Sequence, residues 1–165
     1  MKPHFFSSCR KFIPNGLREA ILSITVLVIT TPAFAALGED ATSVQNDVAH
    51  MQGSLRSIQS HAFTVHEITG ATGATVREYA SPSGKIFAVT WQGPWLPNMR
   101  QLLSSYFAQY DQALQANPPA RAGRRPLRIE QPGLVVQLSG HMRSFSGRAY
   151  IPQMMPQEVH AEDIR

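Results

Sequence analysis

The chain has 165 residues, of which 15 are basic and 11 acidic, and a single cysteine, Cys9. That length suits one ordinary domain with a short leader, and one cysteine excludes an intrachain disulfide. The basic excess sits at the N-terminus: with Lys2, Arg10, Lys11, Arg18 and Glu19 set aside, 11 basic residues face 10 acidic ones, so charge makes no case for a nucleic-acid partner.

Residues 1–35 read as a cleavable secretory signal. A basic leader precedes a nearly apolar run from Ala20 to Ile29, broken only by Ser23 and Thr25, and Pro32 ends any helix there. Ala33-Phe34-Ala35 then presents the small-x-small pattern that a signal peptidase accepts, so cleavage is expected after Ala35, with Ala36 one step behind. The apolar run is about half of what a membrane span needs. Cys9 precedes that run and so cannot be a lipid-bearing cysteine. The expected product is one cysteine-free domain over residues 36–165, in the periplasm or secreted beyond it, with no transmembrane segment.

Thr42-x-x-Gln45 has the form of a capping box, and Val44, Val48, Met51 and Leu55 follow at helical spacing, which predicts a helix from about Ser43 to Arg56. Alternating segments come next, HAFTVHEIT, ATVREYAS and KIFAVTWQ, joined at Gly70–Gly73 and Pro82–Gly84. They predict a three-stranded antiparallel meander. Its expected apolar face carries Phe63, Val65, Val76, Phe87, Val89 and Trp91, with Glu67 and Glu78 toward its ends. His66, Arg77, Tyr79, Ile86 and Thr90 fall on the other face.

Asn98 is a natural helix cap, and Met99, Leu102, Leu103, Tyr106, Phe107, Tyr110 and Leu114 recur at helical spacing behind it. That stripe predicts one amphipathic helix covering the apolar face of the meander. NPPARAGRRP, residues 117–126, has the composition of a solvated linker. LRIEQ and LVVQLS flank Pro132-Gly133, a hairpin turn, and Ser139-Gly140-His141 suggests a turn into a last strand, MRSFSGRAYI. The tail beyond Pro152 reads as loosely held. The fold class is therefore α+β: an antiparallel meander covered by an amphipathic helix, with a further C-terminal hairpin.

VREYASPSGKIFAVTWQGPWLPNMRQLLSSYF and HMRSFSGRAYIP resemble a family of short exported proteobacterial proteins known only as a domain of unknown function, number twenty-eight forty-four. The resemblance runs from about Ala36 to the C-terminus. It implies an exported single-domain protein and transfers no catalytic residue.

The chemistry-bearing residue types form no motif. His61 and His66 lie on opposite faces of a strand, no zinc-protease or P-loop spacing is present, and nothing calls for a metal or cofactor. Paired carboxylates are available as Glu67 and Glu78, and Ser139 lies beside His141; these are the raw material of an envelope hydrolase. Arg121, Arg124, Arg125 and Arg128 form a basic cluster suited to anion contact at a membrane surface, but no aromatic interleaves to stack on bases. The remaining signal is WQGPW. Trp91 has the parity of a core residue, whereas Trp95 stands in a short Pro-flanked loop, where aromatic side chains make good binding contacts. A site there would combine Trp91, Trp95, Met99 and Arg100. The sequence thus favours a non-enzymatic binding or accessory protein of the cell envelope, acting on a partner or ligand that it does not identify, over a hydrolase.

Overall fold

The computed structural model describes residues 37–116 and 126–165. The predicted signal segment and all of the Arg/Pro-rich linker except Pro126 lie outside these residues. Seven strands form one antiparallel sheet: β1 (Ser54–Gln59), β2 (Thr64–Thr69), β3 (Thr75–Ala80), β4 (Ile86–Gly93), β5 (Leu127–Gln131), β6 (Leu134–His141) and β7 (Ser144–Tyr150). Their order is β1-β2-β3-β4-β7-β6-β5, so the meander and the C-terminal strands join where β4 pairs with β7. Three helices, α1 (Val44–His50), α2 (Met99–Leu103) and α3 (Phe107–Ala116), pack on one face. The fold is α+β, as the alternation and the apolar stripe predict.

The first helix is shorter than its spacing suggests. It closes in a Schellman motif, with Gly53 N–H donating to Val48 O at 3.0 Å and Gln52 N–H to Ala49 O at 3.2 Å. Gln52 takes the left-handed position (φ 47°), and the chain turns directly into β1, an edge strand absent from the sequence reading. A Cβ on Gly53 would stand 2.6 Å from Thr69 O, so only glycine lets the two chains pass this closely. The anticipated Thr42 capping box does not form. Asp40 Oδ1 accepts from Thr42 N–H at 3.0 Å and caps a 3-10 turn, Ala41–Ser43, that leads into α1.

The meander divides its apolar residues between both faces of the sheet. Thr69 pairs with Thr75 across a five-residue loop, which sets Ile68 opposite Val76, Glu67 opposite Arg77 and His66 opposite Glu78. Val76, Val89 and Trp91 do share the helix-covered face, with Ile68 and Ile86. Phe63 and Val65 pack on the other side, because a one-residue change of register inverts a strand. A bulge between Tyr79 and Ala80 does the same locally to β4: Phe87 joins Tyr79 and Ala88 on the second face, and Ile86 takes the helix side.

The second face is covered as well. Val159 and Ile164 are buried there against Tyr79, Phe87, Ala88 and Tyr150. Arg148 Nη1 donates to Ala161 O and Ile164 O, and Tyr79 Oη donates to Arg165 O at 2.5 Å. The tail, expected to be loose, is the third layer of the fold. Its backbone carbonyls find donors on the sheet, which is what an irregular segment needs in order to lie over an apolar surface.

The long predicted helix is broken at Ser104 (φ 44°), where a 3-10 turn, Ser104–Tyr106, separates α2 from α3. Ser104 Oγ donates to Glu39 Oε1 at 3.3 Å, tying the break to the segment that precedes α1. The turn after β6 falls at Met142–Arg143 rather than at Ser139–His141, which belong to the strand. Among the described residues no helix is long and apolar enough to cross a membrane.

Candidate functional site

The corner that contains both tryptophans is built by its neighbours. Gly93 ends β4 so close to the β2–β3 loop that a Cβ there would lie 2.9 Å from Ala74 Cα. Pro94 and Pro97 restrict the backbone on either side of Trp95-Leu96. Asn98 then caps α2, accepting from Arg100 N–H at 3.1 Å and Gln101 N–H at 3.3 Å. With its backbone tied at the cap, Gln101 does not complete a capping box. Its Nε2 donates instead to Asp47 Oδ1 at 2.7 Å, joining α2 to α1.

The two tryptophans part company. Trp91 is 3% exposed and lies over Gly147 of β7, in the core. Trp95 is 60% exposed and Leu96 42%. Together with Asp47, His50, Met51 and Gln101 they line a hollow of about 190 Å³ between α1, the start of α2 and the β2–β3 loop. Met99 is buried, and the Arg100 guanidinium stacks 4.3 Å above the Phe107 ring; neither lines the hollow.

Beneath the hollow is a feature that sequence reasoning missed. Asp47 and Glu78 are 2% and 0% exposed and form a carboxyl pair between α1 and β3. Burial first, then the charge of Asp47 and the hydrogen bond between the two carboxyls, push the Glu78 pKa up to about 9. Burial also raises Asp47, opposed by the hydrogen bonds from Gln101 and Glu78. Among the described residues no N–H or O–H group outside the pair reaches either oxygen of Glu78, so the Asp47 carboxyl is its polar neighbour there. At neutral pH Glu78 is protonated. A signal for half of this was present: Asp47 stands at i+3 in the Val44, Val48, Met51 stripe, where an acid must either be buried or break the pattern.

Glu67 does not join Glu78. It lies on the opposite face, paired with Arg77 at 2.6 Å. Ser139 Oγ is bonded to Ser146 Oγ at 3.2 Å, not to His141. A different serine and histidine meet: Ser57 Oγ lies 2.9 Å from His66 Nδ1 on neighbouring strands, and burial lowers the histidine pKa. Glu78 is the next residue in that cross-strand row, yet no group of His66 reaches its carboxyl. Among the described residues no three His, Cys, Asp or Glu side chains could together hold a metal ion. Arg121, Arg124 and Arg125 lie outside the described residues. Arg128 is on β5, with its Nε 2.6 Å from Glu130 Oε1.

Compared with known families, residues 33–164 match the one described as "Protein of unknown function (DUF2844)". The chain belongs to that family. The description assigns no activity, so DUF2844 membership transfers none to Trp95 or to the carboxyl pair. No curated protein and no solved structure matches the chain.

Proposed function

We propose that this DUF2844 protein is an exported, non-enzymatic accessory protein of the cell envelope that grips a protein partner through Trp95. The observation that carries this reading is a tryptophan 60% exposed on a Pro-flanked corner, at the rim of a hollow with a buried carboxyl group in its wall. An exposed indole held on a constrained loop loses little conformational freedom on binding and offers large contact area. The size of the hollow, about 190 Å³, favours a protein partner, since it admits one projecting side chain and is smaller than the roughly 300–1,000 Å³ of a small-molecule site. The Asp47 carboxyl in the wall suits a side chain that donates a hydrogen bond.

Two experiments test the proposal. N-terminal sequencing of the chain recovered from its native cells is expected to begin at Ala36, and an intact Met1 in the mature protein would overturn export. Retention of envelope proteins on the immobilised mature chain is expected to fall at least tenfold with Trp95→Ala, and equal retention would overturn the role of the corner.

The hydrolase alternative rests on the Ser57–His66 contact, with a neutral imidazole beside a hydroxyl. Glu67 and Glu78, on opposite faces, add nothing to it. Turnover of p-nitrophenyl acetate that Ser57→Ala abolishes would install this reading in place of the first.

A further inference from the structure

A second hollow, larger than the one beside Trp95, lies on the other side of the sheet. It measures about 530 Å³, and four arginines, Arg77, Arg128, Arg148 and Arg165, line it with no aspartate or glutamate among the lining residues. Strand pairing explains the convergence. Arg77, Thr90, Arg148, Gln137 and Arg128 are successive partners across β3, β4, β7, β6 and β5, so their side chains stand in one row on one face. The adjoining row, Gln92, Ser146 and Ser139, points the same way and supplies an exposed floor of amide and hydroxyl groups.

The two central guanidiniums are held in place but not used up. Arg77 gives Nε to Glu67 Oε2 and Nη1 to Arg165 O. Arg148 gives Nε to Gln137 Oε1 at 2.8 Å and Nη1 to the tail carbonyls. Nη2 of each has no hydrogen-bond partner among the described residues. Glu67 and Glu130 offset Arg77 and Arg128 from outside the groove, whereas no Asp or Glu among the described residues pairs with Arg148. Fixed guanidiniums with unused N–H donors, beside hydroxyls, form a preorganised receptor for a planar or tetrahedral oxyanion.

We infer that this groove binds an organic oxyanion, a carboxylate or phosphate group on a body of small-molecule size, at a site separate from the Trp95 corner. Its volume falls within the usual range for such ligands. The acid group sits against Arg77 and Arg148 over the Ser146 floor, and the body extends along the groove toward Pro126 and Arg128.

Calorimetric titration of the mature chain with phenyl phosphate and with benzoate tests this. Saturable binding of at least one is expected, weakening severalfold between 50 and 500 mM NaCl because the attraction is ionic. Tighter phenyl phosphate identifies the acid as a phosphate, and tighter benzoate as a carboxylate. Arg148→Gln is expected to abolish binding, but it also releases the tail. Ser146→Glu is therefore the decisive variant: it is exposed, bonds only Ser139, and places a negative charge on the floor. It is expected to melt like the parent and bind at least tenfold more weakly. No saturable binding of either probe, or binding unchanged in Ser146→Glu, would overturn the site.

Discussion

Gly147 lies directly across the β4–β7 ladder from Trp91, and the side chain it lacks is the space the indole fills. A Cβ there would stand 2.3 Å from Trp91 Cζ2 and 2.6 Å from the Gln137 carbonyl oxygen, the second of which cannot move without breaking the sheet. Gly147→Ala is therefore expected to destabilise the protein by about 1–3 kcal/mol. Trp91 emission should shift to the red as the ring is displaced. Urea denaturation followed by fluorescence checks both, and an unchanged midpoint would refute the packing.

The carboxyl pair sets a pH dependence. The Glu78 pKa is raised in the folded state, so the native protein binds more protons than the unfolded chain above about pH 4.5. The stability tied to that proton is fully present below the unfolded value of 4.5 and is lost as pH rises toward about 9. Asp47, also raised, adds to the same slope above its ordinary value of 3.8. Glu78→Gln keeps a donor for Asp47 without the titrating proton. It should flatten the profile and exceed the parent at pH 8 by roughly 1–3 kcal/mol. Urea midpoints at pH 5, 7 and 8.5 measure this, and parallel profiles would contradict the assignment.

Gln52 occupies the left-handed position after α1 that glycine most often fills. Gln52→Gly relieves that conformation without removing a core contact, since the side chain is exposed. A gain of about 1 kcal/mol in unfolding free energy is expected. A loss would mean that α1 does not end in this motif.

Ile164 is buried beneath a tail whose sequence reads as loose. Ile164→Ala should cost about 2–4 kcal/mol, as for any large aliphatic core residue. A cost near zero in thermal or urea melts would show that the tail does not form the third layer.

What the sequence made legible follows from how local each signal is. The three meander strands, the Asn98 cap and the Pro132-Gly133 turn are each written within a few residues, and each is found in place. Strand β1 was hidden because Leu55 continues the helical spacing of α1, and the glycine that ends the helix sits one position beyond the left-handed residue. The faces of the meander depended on a five-residue loop and a bulge, neither of which composition specifies. The Trp95 corner could be read from its prolines. The Asp47–Gln101 bond could not, because its partners are 54 residues apart and meet only when α1 and α2 pack on the sheet. The tail reads as loose because Val159 and Ile164 are isolated apolar residues among acids, with no periodicity to mark them.

The claim that Trp95 is a gripping residue is tested most directly by photo-crosslinking in the native cells, with benzoylphenylalanine at position 95 and, as a control, at Met142, which is 90% exposed. The account predicts a discrete crosslinked partner from position 95 that is absent from position 142. No crosslink from position 95, or the same products from both positions, would contradict it.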